Sequence, residues 1–336
     1  MRALSIAAVA VGLGLLCTAA GAQTSAEFYR GKTLRVMIGV AVGGDYDVQA
    51  RFLARHIGRH IPGAPSVVAE NMTGAGGLKM TNWLYEVAPK DGTVFGIIAN
   101  NFPALQAAGG AGVQFDAAKF QWLGAMTRET NAMTVWHTAG VRSVEDARRI
   151  EVAAGASGRG AITYTFPAMM NEFLGTKFRI VTGYAGGNEI NLAMERGEVA
   201  ARINSWSSWK ATRPEWLRDG KIVVIAQGGR RSPELPEVPS VEDLAKNDGD
   251  RQVIEMLMSG ASLGRPFAAP PGVPVERIAA LRAAFSAMVE DPAVKAEAAA
   301  TKLELDPLSG EQMQAMIEKL LAADPEVAAR ARTFLQ

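Results

Sequence analysis

Three short stretches hold the residues best placed to bind something: Gly43-Gly44-Asp45-Tyr46-Asp47, Thr73-Gly74-Ala75-Gly76-Gly77 and Ser157-Gly158-Arg159-Gly160. Each follows an apolar run and precedes a helical pattern. A glycine lets the backbone come close to a ligand. The first N–H groups of a helix have no partner inside it, and they lie at the positive end of its dipole. Such loops bind carboxylate or phosphate without needing a charged side chain. The first strand–helix turn has no G-x-G-x-x-G, and the chain has no Gly-Lys-Ser/Thr phosphate loop, so a nucleotide is not indicated.

Other polar residues fall where strands are expected to end. Asn100 closes Val94–Ala99, and Tyr184 and Asn188 sit in Gly183–Asn188. Ser205 and Trp206 follow Val199–Ile203, and a tryptophan beside Ser and Asn is a usual lining for an organic ligand. Core packing is the competing role for Trp206 and Trp209.

Catalytic and metal readings are weaker. There are three histidines, of which His56 and His60 are spaced i, i+4 without an H-E-x-x-H, among arginines that disfavour a cation. A solvated helix face explains them better, and no metal or cofactor is expected. Ser157 is not in a G-x-S-x-G elbow. Glu70 or Asp47 would be the base of a hydrolase or lyase, but Glu70-Asn71 fits the orienting of the glycine loop better.

Composition fits a globular chain. The 336 residues suggest two domains, and 48% hydrophobic with 21% charged residues suits sizeable cores. Lys plus Arg number 35 against 34 Asp plus Glu, a balance that argues against a nucleic-acid partner. Arg2, the apolar run Ala3–Leu16 and Ala20-Gly21-Ala22 have the layout of a secretory signal, residues 1–22, cleaved near Ala22. The apolar run is shorter than the roughly 20 residues needed to span a membrane. Cys17, the single cysteine, lies inside it. A chain cut there has no disulfide, no thiol chemistry and no thiolate metal site, which suits a bacterial periplasm.

The chemistry-bearing loops need a frame. Strand patterns at 34–40, 66–69 and 94–99 alternate with helical ones at 45–60 and 78–87, the layout of a parallel α/β sheet. A helix-period stripe of Val48, Phe52, Leu53 and Ile57 marks the first helix. The pattern restarts after the Gln121–Trp136 region, with strands at 150–154, 179–181, 199–203 and 222–226. The stretch Pro233–Pro239 reads as a linker or hinge-side loop, and Ile278, Leu281, Phe285 and Met288 share one face of a late helix. Two α/β lobes with glycine loops at strand ends imply a cleft between them.

An ordered set of motifs then carries a resemblance. It runs through Arg35-Val36-Met37-Ile38, Val42-Gly43-Gly44 with Asp47, Glu70-Asn71 with Gly74-Ala75-Gly76-Gly77, and Ala88-Pro89-Lys90-Asp91-Gly92-Thr93. It continues through Val181-Thr182-Gly183-Tyr184, Glu195-Arg196-Gly197-Glu198-Val199, Ala269-Pro270-Pro271-Gly272-Val273-Pro274 and Asp291-Pro292-Ala293-Val294. The chain resembles the solute receptors of tripartite tricarboxylate transporters, the Bug family. The resemblance implies a type II, two-lobed periplasmic binding protein, with each lobe a mostly parallel sheet flanked by helices. Lobe 1 would comprise 23–126 plus about 258–336, and lobe 2 about 127–257. It implies a monomer that is not an enzyme, closing on a small organic carboxylate and delivering it to membrane permease subunits. Gly43–Asp47 and Thr73–Gly76 would bind the carboxylate through backbone amides and waters. The second lobe would add Ser157, Gly158, Gly160 and the turn at Tyr184. The chain departs from the family at Val42 (usually proline), at Met72-Thr73 (often Arg-Pro) and at Leu78-Lys79-Met80 (often Asn-Ile-Gly). A receptor that presents its ligand to a signalling partner would have the same sequence features.

Overall fold

The computed structural model describes residues 24–335 apart from 41, 44, 159, 160 and 185. The expected signal segment 1–22, with Cys17, and the expected contacts Gly44 and Gly160 lie outside them. Two sheets form. The first contains β1 (Thr33–Ile38), β2 (Ser66–Asn71), β3 (Val94–Ile97), β4 (Gln121–Ala125), β10 (Pro266–Ala269) and β11 (Leu308–Ser309), in the order β11-β4-β10-β3-β1-β2. The second contains β5 (Thr130–Trp136), β6 (Val152–Gly155), β7 (Phe178–Val181), β8 (Ala201–Ser205) and β9 (Ile222–Gly229), in the order β7-β6-β8-β5-β9. This is the two-lobed α/β class expected from the sequence.

Alternation along the strands explains the layering. On β1, Leu34, Val36 and Ile38 face helices Asp45–Ile57 and Val275–Glu290, while Met37 faces helices Leu78–Glu86 and Gly310–Leu321. Successive strand residues point to opposite faces, so a sheet covered on both sides is apolar throughout. Phe52, Leu53 and Ile57 are buried as the stripe predicts, whereas Val48 is 54% exposed. The expected late helix is Val275–Glu290, and Ile278, Leu281, Phe285 and Met288 are all buried.

Each sheet is parallel where the glycine loops sit and antiparallel where the chain changes sheets. β1 pairs parallel with β2 and β3, and β6 parallel with β7 and β8. β10 is antiparallel to β3 and β4, and β5 is antiparallel to β8 and β9. The loops after β1, β2, β3, β6, β7 and β8 therefore share one rim with the passages 126–129 and 264–265. The Gln121–Trp136 region, left undivided by the sequence, is such a crossing: β4 belongs to the first sheet and β5 to the second.

Three features differ from expectation. Pro233–Pro239 does not link domains but is fastened to β9. The Gln227 side-chain amide donates to the Leu235 and Val238 carbonyls, and the Gln227 backbone N–H donates to the Pro239 carbonyl. A buried glutamine with three such partners satisfies a loop that otherwise lacks secondary structure. Helix Pro325–Leu335 falls within the 258–336 stretch expected in the first lobe. Instead it packs Val327, Ala328 and Ala331 into the core of the second sheet, beside helix Asp248–Leu263. Finally, His56 and His60 are not on a solvated face. His56 is 7% exposed with Nε2 3.0 Å from Glu297, and His60 Nε2 is 3.3 Å from Asp291, a capping residue of helix Pro292–Ala300.

The two crossings touch. The Arg265 N–H donates to the Thr127 carbonyl, and the Glu129 N–H to that of Ala261. Gly264 has φ +69°, and a Cβ there would lie 1.7 Å from the Thr127 carbonyl oxygen. Gly264→Ala should cost about 3 kcal/mol or more through left-handed strain plus the clash. Urea unfolding of the purified variant measures it, and wild-type stability would contradict this account of the crossing.

Candidate functional site

The rim is organised by a residue that the sequence reading passed over. Arg265, just before β10, has a side chain only 12% exposed, and its Nε lies 2.5 Å from Asp45 Oδ2 and its Nη2 2.7 Å from Glu129 Oε1. Its guanidinium carbon stands 4.5 Å from the centre of the Tyr46 ring. The Tyr46 hydroxyl accepts the Asn100 N–H at 3.0 Å. One cation thus joins the loop after β1, the loop after β3 and the crossing strand. Burial opposes its charge, but Tyr46, Glu129 and Asp45 outweigh burial and hold it well above the usual arginine range. Two acids share one cation, so burial still pushes the Glu129 carboxyl upward and Arg265 offsets this only in part.

Arg265 stands between two hollows at the rim. One, of about 290 Å³, is lined by Tyr46, Asn100, Asn101, Asn131, Thr165 and Leu257 together with Glu129 and Arg265. The other, of about 410 Å³, is lined by Asp45, Gln49, Thr127, Asn204, Ser205 and Lys302, again with Glu129 and Arg265. The first hollow reaches the start of helix Ile162–Met169, which has no side-chain cap, through Ala161, Ile162 and Thr165. Larger hollows, of about 640 and 820 Å³, include none of the glycine loops, and the first adjoins the 410 Å³ hollow through Ser207, Ala211, Lys302, Leu303 and Glu304. Among the described residues no group of three or more His, Cys, Asp or Glu is arranged to hold a metal ion.

The glycine loops divide in their roles. In the loop after β1, Asp47 is buried and fully committed: Oδ2 accepts the Gly43 N–H at 2.9 Å, and the carboxylate also takes Arg51 Nε at 3.0 and 3.1 Å and Asn71 Nδ2 at 2.9 Å. Asn71 donates in addition to the Val40 carbonyl at 2.8 Å. Asp47 therefore holds the loop in shape instead of facing a ligand, and the expectation that it lines the site is corrected. The Gly43 amide is spent on it too. Glu70, the other candidate base, pairs with Arg35 at 3.3 Å, outside the rim.

The loop after β2 has a chain of left-handed residues: Gly74 (φ 142°), Ala75 (φ 47°), Gly76 (φ 63°) and Gly77 (φ 102°). The Gly77 N–H closes the turn onto the Gly74 carbonyl at 3.0 Å. A Cβ on Gly39 would come within 2.8 Å of the Gly77 Cα, so the loops after β1 and β2 lie backbone against backbone. Thr73, Gly74, Ala75 and Gly76 are exposed, and Gly76 borders a hollow of about 210 Å³ that Tyr46 and Asn101 also line. The Lys79 stem lies against Gly74.

In the second sheet, the Ser157 N–H donates to Thr163 Oγ1 at 3.1 Å, which uses up that amide, while Gly158 has open space around it. Ser205 lines the larger rim hollow and caps helix Trp206–Thr212. Trp206 is half-buried and donates its Nε1–H to Glu234 at 2.9 Å, and Trp209 and Trp216 are core. Tyr184 packs on the same aromatic cluster, and Asn188 is exposed. The rim hollows thus bring together Asp45, Tyr46, Asn100 and Ser205 with Arg265 and Glu129, whereas Tyr184, Asn188 and Trp206 lie apart from them.

No protein-family model matches the chain. A Cupriavidus necator protein described as "UPF0065 protein in gbd 5′ region" is 25% identical over 254 residues, 71% of this chain and 72% of its own length. A TctC solute-binding protein from Polaromonas superposes with a TM-score of 0.69 at 18% identity, covering 91% of this chain and 99% of its own. This is the fold of the TctC solute-binding proteins. An R. palustris protein solved with adipate shares the TctC fold at a TM-score of 0.62 and 22% identity, over 90% of this chain and 97% of its own. In the TctC fold assembled by this chain, the two crossings and Arg265 lie at the junction of the sheets.

Two outcomes test the rim's construction. Arg265→Met strands Glu129 without a counter-charge and should cost about 3–5 kcal/mol, whereas the double change Arg265→Met with Glu129→Gln should recover much of that. Denaturant unfolding of the single and double variants measures it, and additive losses would show that the two residues are not coupled. Asp47 supplies the pH readout. Its hydrogen bond from Arg51 chiefly, with Gly43 and Asn71, lowers its carboxyl to about 2, below its ordinary range. A depressed folded-state pKa contributes stability that is present above the unfolded value and lost as pH falls through about 2. Asp47→Asn should therefore be about 2 kcal/mol less stable near neutral pH, and the gap should close between roughly pH 4 and pH 2. A gap that does not change with pH would contradict the assignment.

Proposed function

We propose that this chain is an exported solute receptor that traps a small organic carboxylate between its two lobes. The observation that carries the reading is the shared rim, where the loops after β1, β3, β6 and β8 meet around Arg265. Open α/β sheets bind ligands at the carboxyl ends of their strands. Amide-rich loops and helix starts suit an anion that has flat, hydrogen-bonding oxygens. The TctC fold supports the same reading, as does a neighbour that holds adipate.

The ligand contacts proposed are Tyr46, Thr73–Gly76 and Asn100 from the first lobe, with Gly158 and Ser205 from the second. The lobes are 23–126 with about 258–336, less helix Pro325–Leu335, and about 127–257. They close about the crossings near Thr127 and Gly264, since a ligand that touches both lobes favours the closed arrangement. The chain binds without turnover: of the two candidate bases, Glu70 is paired with Arg35 and Asp47 with Arg51. No helix among the described residues is long and apolar enough to cross a membrane. The receptor acts in the periplasm and hands its ligand to the permease subunits of a tripartite tricarboxylate-type transporter.

Thermal melting of the purified chain against mono-, di- and tricarboxylates and aromatic acids tests this. Binding to the folded state raises apparent stability by mass action, about 2.7 kcal/mol at one hundred times Kd. A concentration-dependent rise with at least one carboxylate is expected. A rise with sugars or amino acids and none with any carboxylate would sink the ligand class.

A further inference from the structure

Arg265 is shared in a way that leaves one of its partners replaceable. Nε and Nη2 form one edge of a guanidinium, and their parallel N–H groups fit the two oxygens of a single carboxylate. Here two acids divide that edge, Asp45 at Nε (2.5 Å) and Glu129 at Nη2 (2.7 Å). Each acid thus makes one contact where a lone carboxylate would make two. The two like charges also oppose each other: burial raises the Glu129 carboxyl most, Arg265 works against this, and Asp45 raises it further.

The two acids are not equivalent. The Glu129 side chain is 16% exposed, and its backbone is fixed on both sides, its N–H donating to the Ala261 carbonyl and its carbonyl accepting the Arg230 N–H. The Asp45 side chain is 53% exposed, at the start of helix Asp45–Ile57. Among the described residues its other side-chain partner is Gln49, whose Nε2 lies 3.3 Å from each carboxylate oxygen. Gln49 is held independently, since Thr127 Oγ1 donates to its Oε1 at 3.2 Å. Turning Asp45 out to water therefore gives up one half-exposed ion pair and leaves Glu129 in place. Asp45 and Arg265 both line the hollow of about 410 Å³, together with Asn204, Ser205 and Ser208 from the second sheet's rim.

We propose that Arg265 is the seat of the ligand's carboxylate, and that Asp45 is an internal stand-in which holds the guanidinium edge until the ligand arrives. The incoming carboxylate takes Nε and shares the edge with Glu129, while Asp45 turns into solvent. One negative charge replaces another, so the exchange needs no proton and leaves the charge around Arg265 unchanged. Asp45 also sets specificity. A carboxylate replaces it like for like, whereas an amide or hydroxyl oxygen must displace a charged partner with a weaker, uncharged one. That the guest is a carboxylate rests on the receptor reading above.

The test is titration calorimetry of the full chain with adipate, benzoate, citrate and the neutral diamide of adipate. Asp45→Asn removes the stand-in's charge, and the acids should then bind about tenfold tighter, because the guanidinium edge is free in more of the molecules. Glu304→Gln is the control: it removes an acid about as exposed from the same hollow, one paired with Lys210 instead of Arg265. Its gain should be about twofold at most, since exposed charges act weakly through solvent. Unchanged or weaker binding of the acids by Asp45→Asn would overturn the proposal, and an equal gain from Glu304→Gln would do the same. So would a diamide that binds wild type as tightly as adipate does, or a ligand-free Asp45→Asn that melts far below wild type, which would make Asp45 structural. If wild type binds an acid and Asp45→Asn gains nothing, the receptor reading stands and Asp45 is no stand-in. If no acid binds either protein, neither the receptor nor the seat at Arg265 survives.

Discussion

The cleft depends on one buried guanidinium. Arg265 is held by Asp45 from the loop after β1 and by Glu129 from the passage before β5, and it rests on the Tyr46 ring. Tyr46 in turn fixes the backbone of Asn100. A planar fork with several donors can join three elements at once, which a lysine's single ammonium cannot. The arrangement places the crossing between the sheets and the loop after β1 under one electrostatic constraint. A second set of charges braces the same junction from outside, where Arg128 and Arg230 both pair with Asp306, each at 2.7 Å.

The glycine loops serve the site less directly than a simple amide cradle would. Part of their hydrogen-bonding capacity is turned inward: the Gly43 amide goes to Asp47, the Ser157 amide to Thr163 and the Gly77 amide to Gly74. These bonds hold the backbone in shapes that it would otherwise leave, and pre-organisation lowers the entropy lost when a ligand binds. The left-handed run from Gly74 to Gly77 lets two neighbouring loops touch through their backbones. At Gly39 the glycine is needed for that contact, since a Cβ there would lie 2.8 Å from the Gly77 Cα.

Much of this was legible in the sequence, and what was not has a physical cause. Apolar periodicity marked β1, β2, β3 and helix Asp45–Ile57, because a sheet buried on both faces and an amphipathic helix leave plain patterns. The pairing direction of β4, β5 and β10 was hidden, since the crossings are set by tertiary contacts and not by local composition. Arg265 was missed for a related reason. An arginine beside an apolar run reads as a solvated end, and its burial depends on a partner far away in sequence, Asp45. Asp47 stood out as a candidate because acids beside glycines suggest ligand contact. Only Arg51 and Asn71, four and twenty-four residues away, show that it serves the loop itself. The proline-rich stretch misled because its anchor, Gln227, looks like any polar residue on a strand.

The last helix has a consequence for how the chain is made. Val327, Ala328 and Ala331 close the core beneath the second sheet, whose first strand begins at Thr130. A nascent chain thus carries all five strands of that sheet long before the piece that seals it exists. Its apolar face stays uncovered until nearly the whole polypeptide has emerged, so the second lobe matures late and in one step. For the exported receptor proposed above, the part of the fold that would obstruct passage is the part that completes last.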